Sequence, residues 1–231
     1  MVRVRDLITN LLASVVAGFA VWVAQRLLRY RRLARTQAFF GLDGGTRCLL
    51  TVARHASSPH ELSVHRSDVA ALVELATIAR DCGSRADLVA ADEMGEGIGR
   101  VTEFSVGGPT GNPRTATHLR ALLPGIAVGT GEKLAITVDG TTYERVRDRA
   151  EYVLLARLWP PAGGRPVFVL SGQTARTNVA AARFLANRHP ELRRRYGSTR
   201  PFCLVLRVVE PAAYGPDLVE IAADVTEVAA R

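Results

Sequence analysis

Lysine is almost absent from this chain. Lys133 stands alone against 29 arginines in 231 residues, an imbalance we attribute to genome base composition rather than to chemistry. Cysteine is scarce as well. Cys48, Cys82 and Cys203 make an odd number with no CxxC pair, which argues against a disulfide framework and fits a reducing compartment. Cys48 and Cys203 lie in apolar runs, where a free thiol behaves as a small hydrophobe. No complete GxGxxG, no GxxxxGK[ST] and no GxSxG occurs, so the dinucleotide, P-loop and nucleophile-elbow fingerprints are all missing. Metal-ligand spacing is missing too. His55, His60 and His65 recur every five residues in a proline-containing loop, which does not align side chains, and no metal site is expected.

The net charge of +8 is concentrated. Arg3, Arg5, Arg26, Arg29, Arg31, Arg32 and Arg35 lie near the N-terminus with Asp6 as the only acid there, and the rest of the chain holds 23 basic and 21 acidic residues. A near-neutral body lacks the footprint of a nucleic-acid binder. The run Arg193-Arg194-Arg195 reads as a solvated helix end near the negative pole of its dipole.

Residues 7–25, LITNLLASVVAGFAVWVAQ, carry no charge. Nineteen residues at about 1.5 Å rise span about 28 Å, close to the hydrocarbon thickness of a bilayer. Trp22 and Ala24 make a poor cleavage pair, so the segment reads as an uncleaved transmembrane helix rather than a signal peptide. Five arginines follow it and two precede it, which places the C-terminal side in the cytoplasm. The expected organisation is a membrane anchor with a basic juxtamembrane stretch over 1–35 and a cytoplasmic domain over 36–231, long enough for one core.

In that domain, CLLTVAR (48–54), ADLVAAD (86–92), EFSVG (103–107), EYVLLARLWP (151–160), RPVFVLSG (165–172) and FCLVLRVVE (202–210) read as strands. Helices are expected from Ser67 as N-cap to Asp81, from Asn112 to about Leu123, and from Thr174 to just before Pro190 with a short continuation over ELRRRYG. Asp139-Gly140 marks a hairpin within 133–146, and a short strand is expected near 218–226. Strands apolar on both faces that alternate with helices predict a three-layer, Rossmann-like α/β domain. Its sheet is mostly parallel with an antiparallel hairpin portion.

Two strand-to-helix turns share a pattern: Val106-Gly107-Gly108-Pro109-Thr110 and Leu170-Ser171-Gly172-Gln173-Thr174. Glycine lets a backbone approach a ligand closely, and a helix start offers free N–H groups to an anion. The expected ligand site therefore comprises Gly107, Gly108, Thr110, Asn112, Gly172 and Thr174, with Arg54 and Arg114 supplying charge. The competing reading makes Asn112 and Pro113 a helix cap and first-turn proline with no ligand at all. The GGPTGN turn resembles Rossmann-like domains in general, which implies a fold and no activity.

GEGIGR (95–100) reads as a glycine loop over the same sheet edge. His55, Ser57, His65 and Arg66 are candidates to line the cleft, and His118 reads as a packed or surface histidine. His55, Glu96 and Glu103 are the candidate acid–base residues. Three functions follow: a membrane-tethered domain binding a nucleotide or other phosphorylated small molecule, a nucleotide-processing hydrolase or transferase, and a ligand-free interaction module. A single span makes no pore alone, so the partners expected besides the bilayer and a small anion are other copies or proteins.

Overall fold

The computed structural model describes residues 2–55, 63–93, 95–129 and 134–230, with the backbone alone over 2–15. The chain begins with α1 (Val2–Phe40), a helix of 39 residues. There follow β1 (Arg47–Val52), α2 (Arg66–Asp81), β2 (Arg85–Ala90), β3 (Thr102–Val106) and α3 (Pro113–Leu122). Next come β4 (Ile126–Val128), β5 (Ala135–Val138), β6 (Thr141–Glu144), β7 (Ala150–Leu158) and β8 (Val167–Gly172). The chain closes with α4 (Ala175–Tyr196), β9 (Phe202–Val209), α5 (Pro211–Tyr214), β10 (Val219–Asp224) and α6 (Thr226–Ala229).

Among the described residues, seven strands form the main sheet in the order β10-β9-β7-β8-β3-β1-β2. β2, β1, β3 and β8 pair in parallel. β7 enters antiparallel between β8 and β9, and β10 closes the edge antiparallel to β9. The fold is thus α/β with a mostly parallel sheet. The Asp139-Gly140 hairpin is real, both residues having positive φ, but it belongs to a separate antiparallel sheet, β4-β5-β6.

Alternation along the strands gives each face its own core. Phe104, Val106, Phe168 and Leu170 pack against α2, α4 and the end of α1. Val167, Val169, Leu154 and Val205 pack beneath α3, the small sheet and α6. The layers are helices, main sheet, and a mixed layer of α3 with β4-β5-β6.

Two boundaries differ from expectation. His65, not Ser67, caps α2, its Nδ1 accepting from the Ser67 N–H. Helix α4 runs unbroken through Pro190 to Tyr196 instead of ending before it and resuming as a short continuation. Proline deprives Ala186 of its helical N–H partner, and the His189 ring Nδ1 takes that carbonyl at 2.8 Å. Burial of Leu192 and Tyr196 beyond it favours continuation.

The end of α1 is built into the body. Phe39 and Phe40 are fully buried. The guanidinium of Arg157, also fully buried, lies 4.3 Å from the Phe39 ring centroid. It donates to the carbonyls of Phe39, Gly197 and Arg200 at 3.1, 2.9 and 2.6 Å. Burial pushes its pKa down to about 10, so it stays charged at neutral pH, facing the carbonyl-rich ends of α1 and α4. Gln37 Nε2 adds a bond to the Cys82 carbonyl.

Further out, Val16, Phe19, Val21, Trp22, Leu27 and Tyr30 are all more than half exposed. Among the described residues no helix is long and apolar enough to cross a membrane. The transmembrane span expected over 7–25 is therefore not supported, and the side chains of 7–15 lie outside the described residues.

Candidate functional site

Three neighbouring strands, β1, β3 and β8, end side by side. The chain leaves β1 and β8 for α2 and α4 on one face, and leaves β3 for α3 on the other. Such a divergence opens a crevice at the carboxyl edge of a parallel sheet. The three ends are stitched beyond the strands: Ala53 N–H donates to Val106 O, Gly107 N–H to Leu170 O and Arg54 N–H to Gly111 O.

A cavity of about 310 Å³ opens there, lined by Arg54, His55, His65, Asp68, the turn 107–111, Gly172, Gln173, Thr174 and Asn178. Val128, Gly129, Leu134 and Ala135 of the small sheet close its far side. The volume lies at the low end of the roughly 300–1,000 Å³ of small-molecule sites.

The two glycine turns face each other, but their glycines differ in role. Gly107 has φ +111, and a Cβ there would lie 2.7 Å from that of Ala53; it serves the fold. Gly172 is barred from a side chain by Thr177 Oγ1, and its N–H donates to Asn178 Oδ1 at 2.8 Å. Gly108 has room. A Cβ there makes only ordinary contact with Gly172 O at 3.7 Å, and Gly108 lines the cavity.

Thr110 is exposed at the rim. Thr174 caps α4 in a reciprocal arrangement with Thr177, and its hydroxyl also donates to the buried Glu151 at 2.7 Å. The capping box uses the Thr174 and Thr177 N–H groups, which leaves those of Ala175 and Arg176 without an intrahelical acceptor at the end of α4 that lines the cavity.

Asn112 and Arg114 do not line the cavity. Asn112 is fully buried: Oδ1 accepts from Thr115 N–H at 2.9 Å and Nδ2 donates to Val106 O at 2.9 Å. Arg114 grips Glu103 through Nε and Nη2. Glu103 also meets His118 Nε2 at 2.7 Å, and both side chains are almost wholly buried under α3. Burial alone would raise the Glu103 pKa, but the hydrogen bonds and charges of His118 and Arg114 outweigh it and hold the carboxyl below its ordinary value. Glu103 and His118 thus anchor α3 to the sheet.

Arg54 pairs with Asp92 at 2.5 Å. Both arginines expected to attract an anion are therefore matched to carboxylates.

Glu96 pairs with Arg47, the first residue of β1, and Gly99 packs on Pro160 and Gly164 ahead of β8. The glycine loop therefore lies at the amino ends of these strands, away from the cavity, and is no lid over it. His55 and His65 remain, their rings stacked 5.2 Å apart beside the cavity. Ser57, His60 and Lys133 lie outside the described residues. Among the described residues no cluster of His, Cys, Asp or Glu has a metal-holding arrangement.

Sequence reasoning missed Asp68, Gln173 and Asn178. Gln173 fastens the small sheet over the cavity, its Nε2 donating to Leu134 O and Tyr143 O and its Oε1 accepting from Tyr152 N–H. The available signal for Asn178 was a lone amide in the alanine-rich face NVAAARF, a polar group that a buried helix face must satisfy. No protein-family model matches this chain, and no curated protein is similar to it in sequence.

Proposed function

We propose that this chain is a membrane-tethered domain that binds a nucleotide or another phosphorylated small molecule at the carboxyl edge of β1, β3 and β8. One observation carries the reading: two glycine turns and the start of α4 converge on a single cavity where the chain departs to opposite faces of the sheet. Backbone donors at a helix start suit a phosphate without a lysine or an unpaired arginine. The hydrolase or transferase alternative retains only His55 of its three candidates at the cavity.

The tether is α1. Its support is the charge-free stretch 7–25 in the sequence and the exposed apolar side chains from Val16 to Tyr30, which a lipid environment would cover. Arg26, Arg29, Arg31, Arg32 and Arg35 then lie on the cytoplasmic side, where positive charge is retained.

The test is to purify the full chain, denature it and identify released small molecules by mass spectrometry. A stoichiometric phosphorylated compound is expected with the wild type and none with Gly108→Leu, which fills the cavity from a position that tolerates a side chain. Equal recovery from both proteins overturns the site. A chain that carries no compound and binds no phosphate or nucleotide on titration overturns the function.

A further inference from the structure

Asp68 stands in the first turn of α2, only 5 % exposed, and lines the cavity. Its Oδ1 accepts a hydrogen bond from Asn178 Nδ2 at 2.8 Å. The Asn178 amide cannot be turned round, because its own oxygen is held by the Gly172 N–H. The amide therefore fixes Asp68 Oδ1 as an acceptor and locks the carboxyl in place. The second oxygen, Oδ2, receives no hydrogen bond among the described residues.

A carboxylate set this deep is stabilised by donors at both oxygens, and Oδ2 is left to water or to a ligand in the cavity it lines. Burial pushes the Asp68 pKa up, opposed by the Asn178 hydrogen bond and the nearby His65 and His55. An apolar residue would be cheaper for the fold at this place.

The cavity thus has two chemically different ends. One is made of the glycine turns and the start of α4, where the N–H groups of Ala175 and Arg176 have no intrahelical acceptor. The other holds the Asp68 carboxyl beside two imidazoles. Inorganic phosphate carries its charge and its P–OH donors on one small group, so while held at the first end it has no separate donor to place at the second. A nucleotide offers both an anion and, several ångströms away, the hydroxyl and amine donors of its nucleoside.

Building on the reading of this cavity as a phosphate site, we propose that Asp68 Oδ2 accepts a hydrogen bond from the nucleoside part of a bound nucleotide and selects nucleotides over simple phosphates. Asn178 is the positioning residue that presents it.

The experiment titrates the full chain with AMP, GMP, ribose 5-phosphate and inorganic phosphate by calorimetry, comparing wild type with Asp68→Asn. Asparagine keeps the oxygen that accepts from Asn178, so the fold is retained, and an unchanged circular dichroism spectrum checks this. A hydrogen bond to a charged acceptor is worth roughly tenfold or more in affinity. The expected result is a loss of about that size for at least one nucleotide with phosphate binding unchanged. Loss for ribose 5-phosphate as well assigns the sugar hydroxyls as the donor; loss for AMP or GMP alone assigns the base. Equal nucleotide affinity in the variant, or an equal loss for inorganic phosphate, overturns the role of Asp68 while leaving the phosphate site standing. No binding of any of the four probes by the wild type overturns the site itself and this inference with it.

Discussion

Asn112 is the residue on which the ligand reading and the helix-cap reading of the GGPTGN turn diverge. Replacing it by alanine removes three hydrogen bonds, but they are unequal. Val106 O keeps its bond from Ala53 N–H, and Ser105 Oγ keeps Thr51 and Thr115 as partners. The N–H of Thr115 alone is left without an acceptor, in a residue with no solvent exposure. Losing a cap costs about 0.5–2 kcal/mol, and orphaning a buried donor about 1–3 kcal/mol. The two overlap, so about 2 kcal/mol is expected. With a urea slope of about 2 kcal/mol/M, the unfolding midpoint of Asn112→Ala should fall by about 1 M. Asn112→Ser, which restores the cap acceptor, should recover more than half of that. AMP affinity, measured well below the transition, should be unchanged. An unaltered midpoint together with lost affinity would refute this reasoning and return Asn112 to the ligand site.

Glu103 should govern acid sensitivity. Its folded pKa lies below the ordinary 4.5, so its contribution is present above that value and disappears as pH falls through the folded pKa. Glu103→Gln should lose about 3 kcal/mol at pH 7 and show a flatter decline between pH 5 and 3, followed by thermal unfolding across that range. Arg157→Met should free the end of α1: the carbonyls of Phe39, Gly197 and Arg200 lose their donor, and protease cleavage near residues 36–42 should accelerate at least tenfold with little change in AMP affinity.

Much of the fold is legible because β1, β3, β7, β8 and β9 are buried on both faces and leave continuous apolar runs. The cap at Asn112 and the turn at Asp139-Gly140 are equally local, set by side-chain chemistry within a few residues. The insertion of β7 between β8 and β9 is not local, since an apolar strand reads the same in either direction. Helix α4 passes Pro190 because of a histidine side chain and distant burial, neither visible in a propensity. In the site, the glycines stand out in sequence, but which of them tolerates a side chain depends on what lies opposite: Ala53 for Gly107, Thr177 for Gly172, and cavity for Gly108. Asp68 and Asn178 are 110 residues apart, a pairing that only the packing of α2 on α4 creates.

Helix α1 has no break between its exposed apolar stretch and the phenylalanines clamped in the core. From Arg26 to Phe39 it is a stalk of fourteen residues, which rises about 20 Å at about 1.5 Å per step. As the proposed tether, such a stalk would fix an azimuth as well as a height. Each added residue would turn the body by about 100° about the helix axis, whereas seven added residues would raise it by about 10 Å and bring it back nearly to its starting bearing. The direction in which the cavity faces is thus written into the number of residues between Trp22 and Phe39.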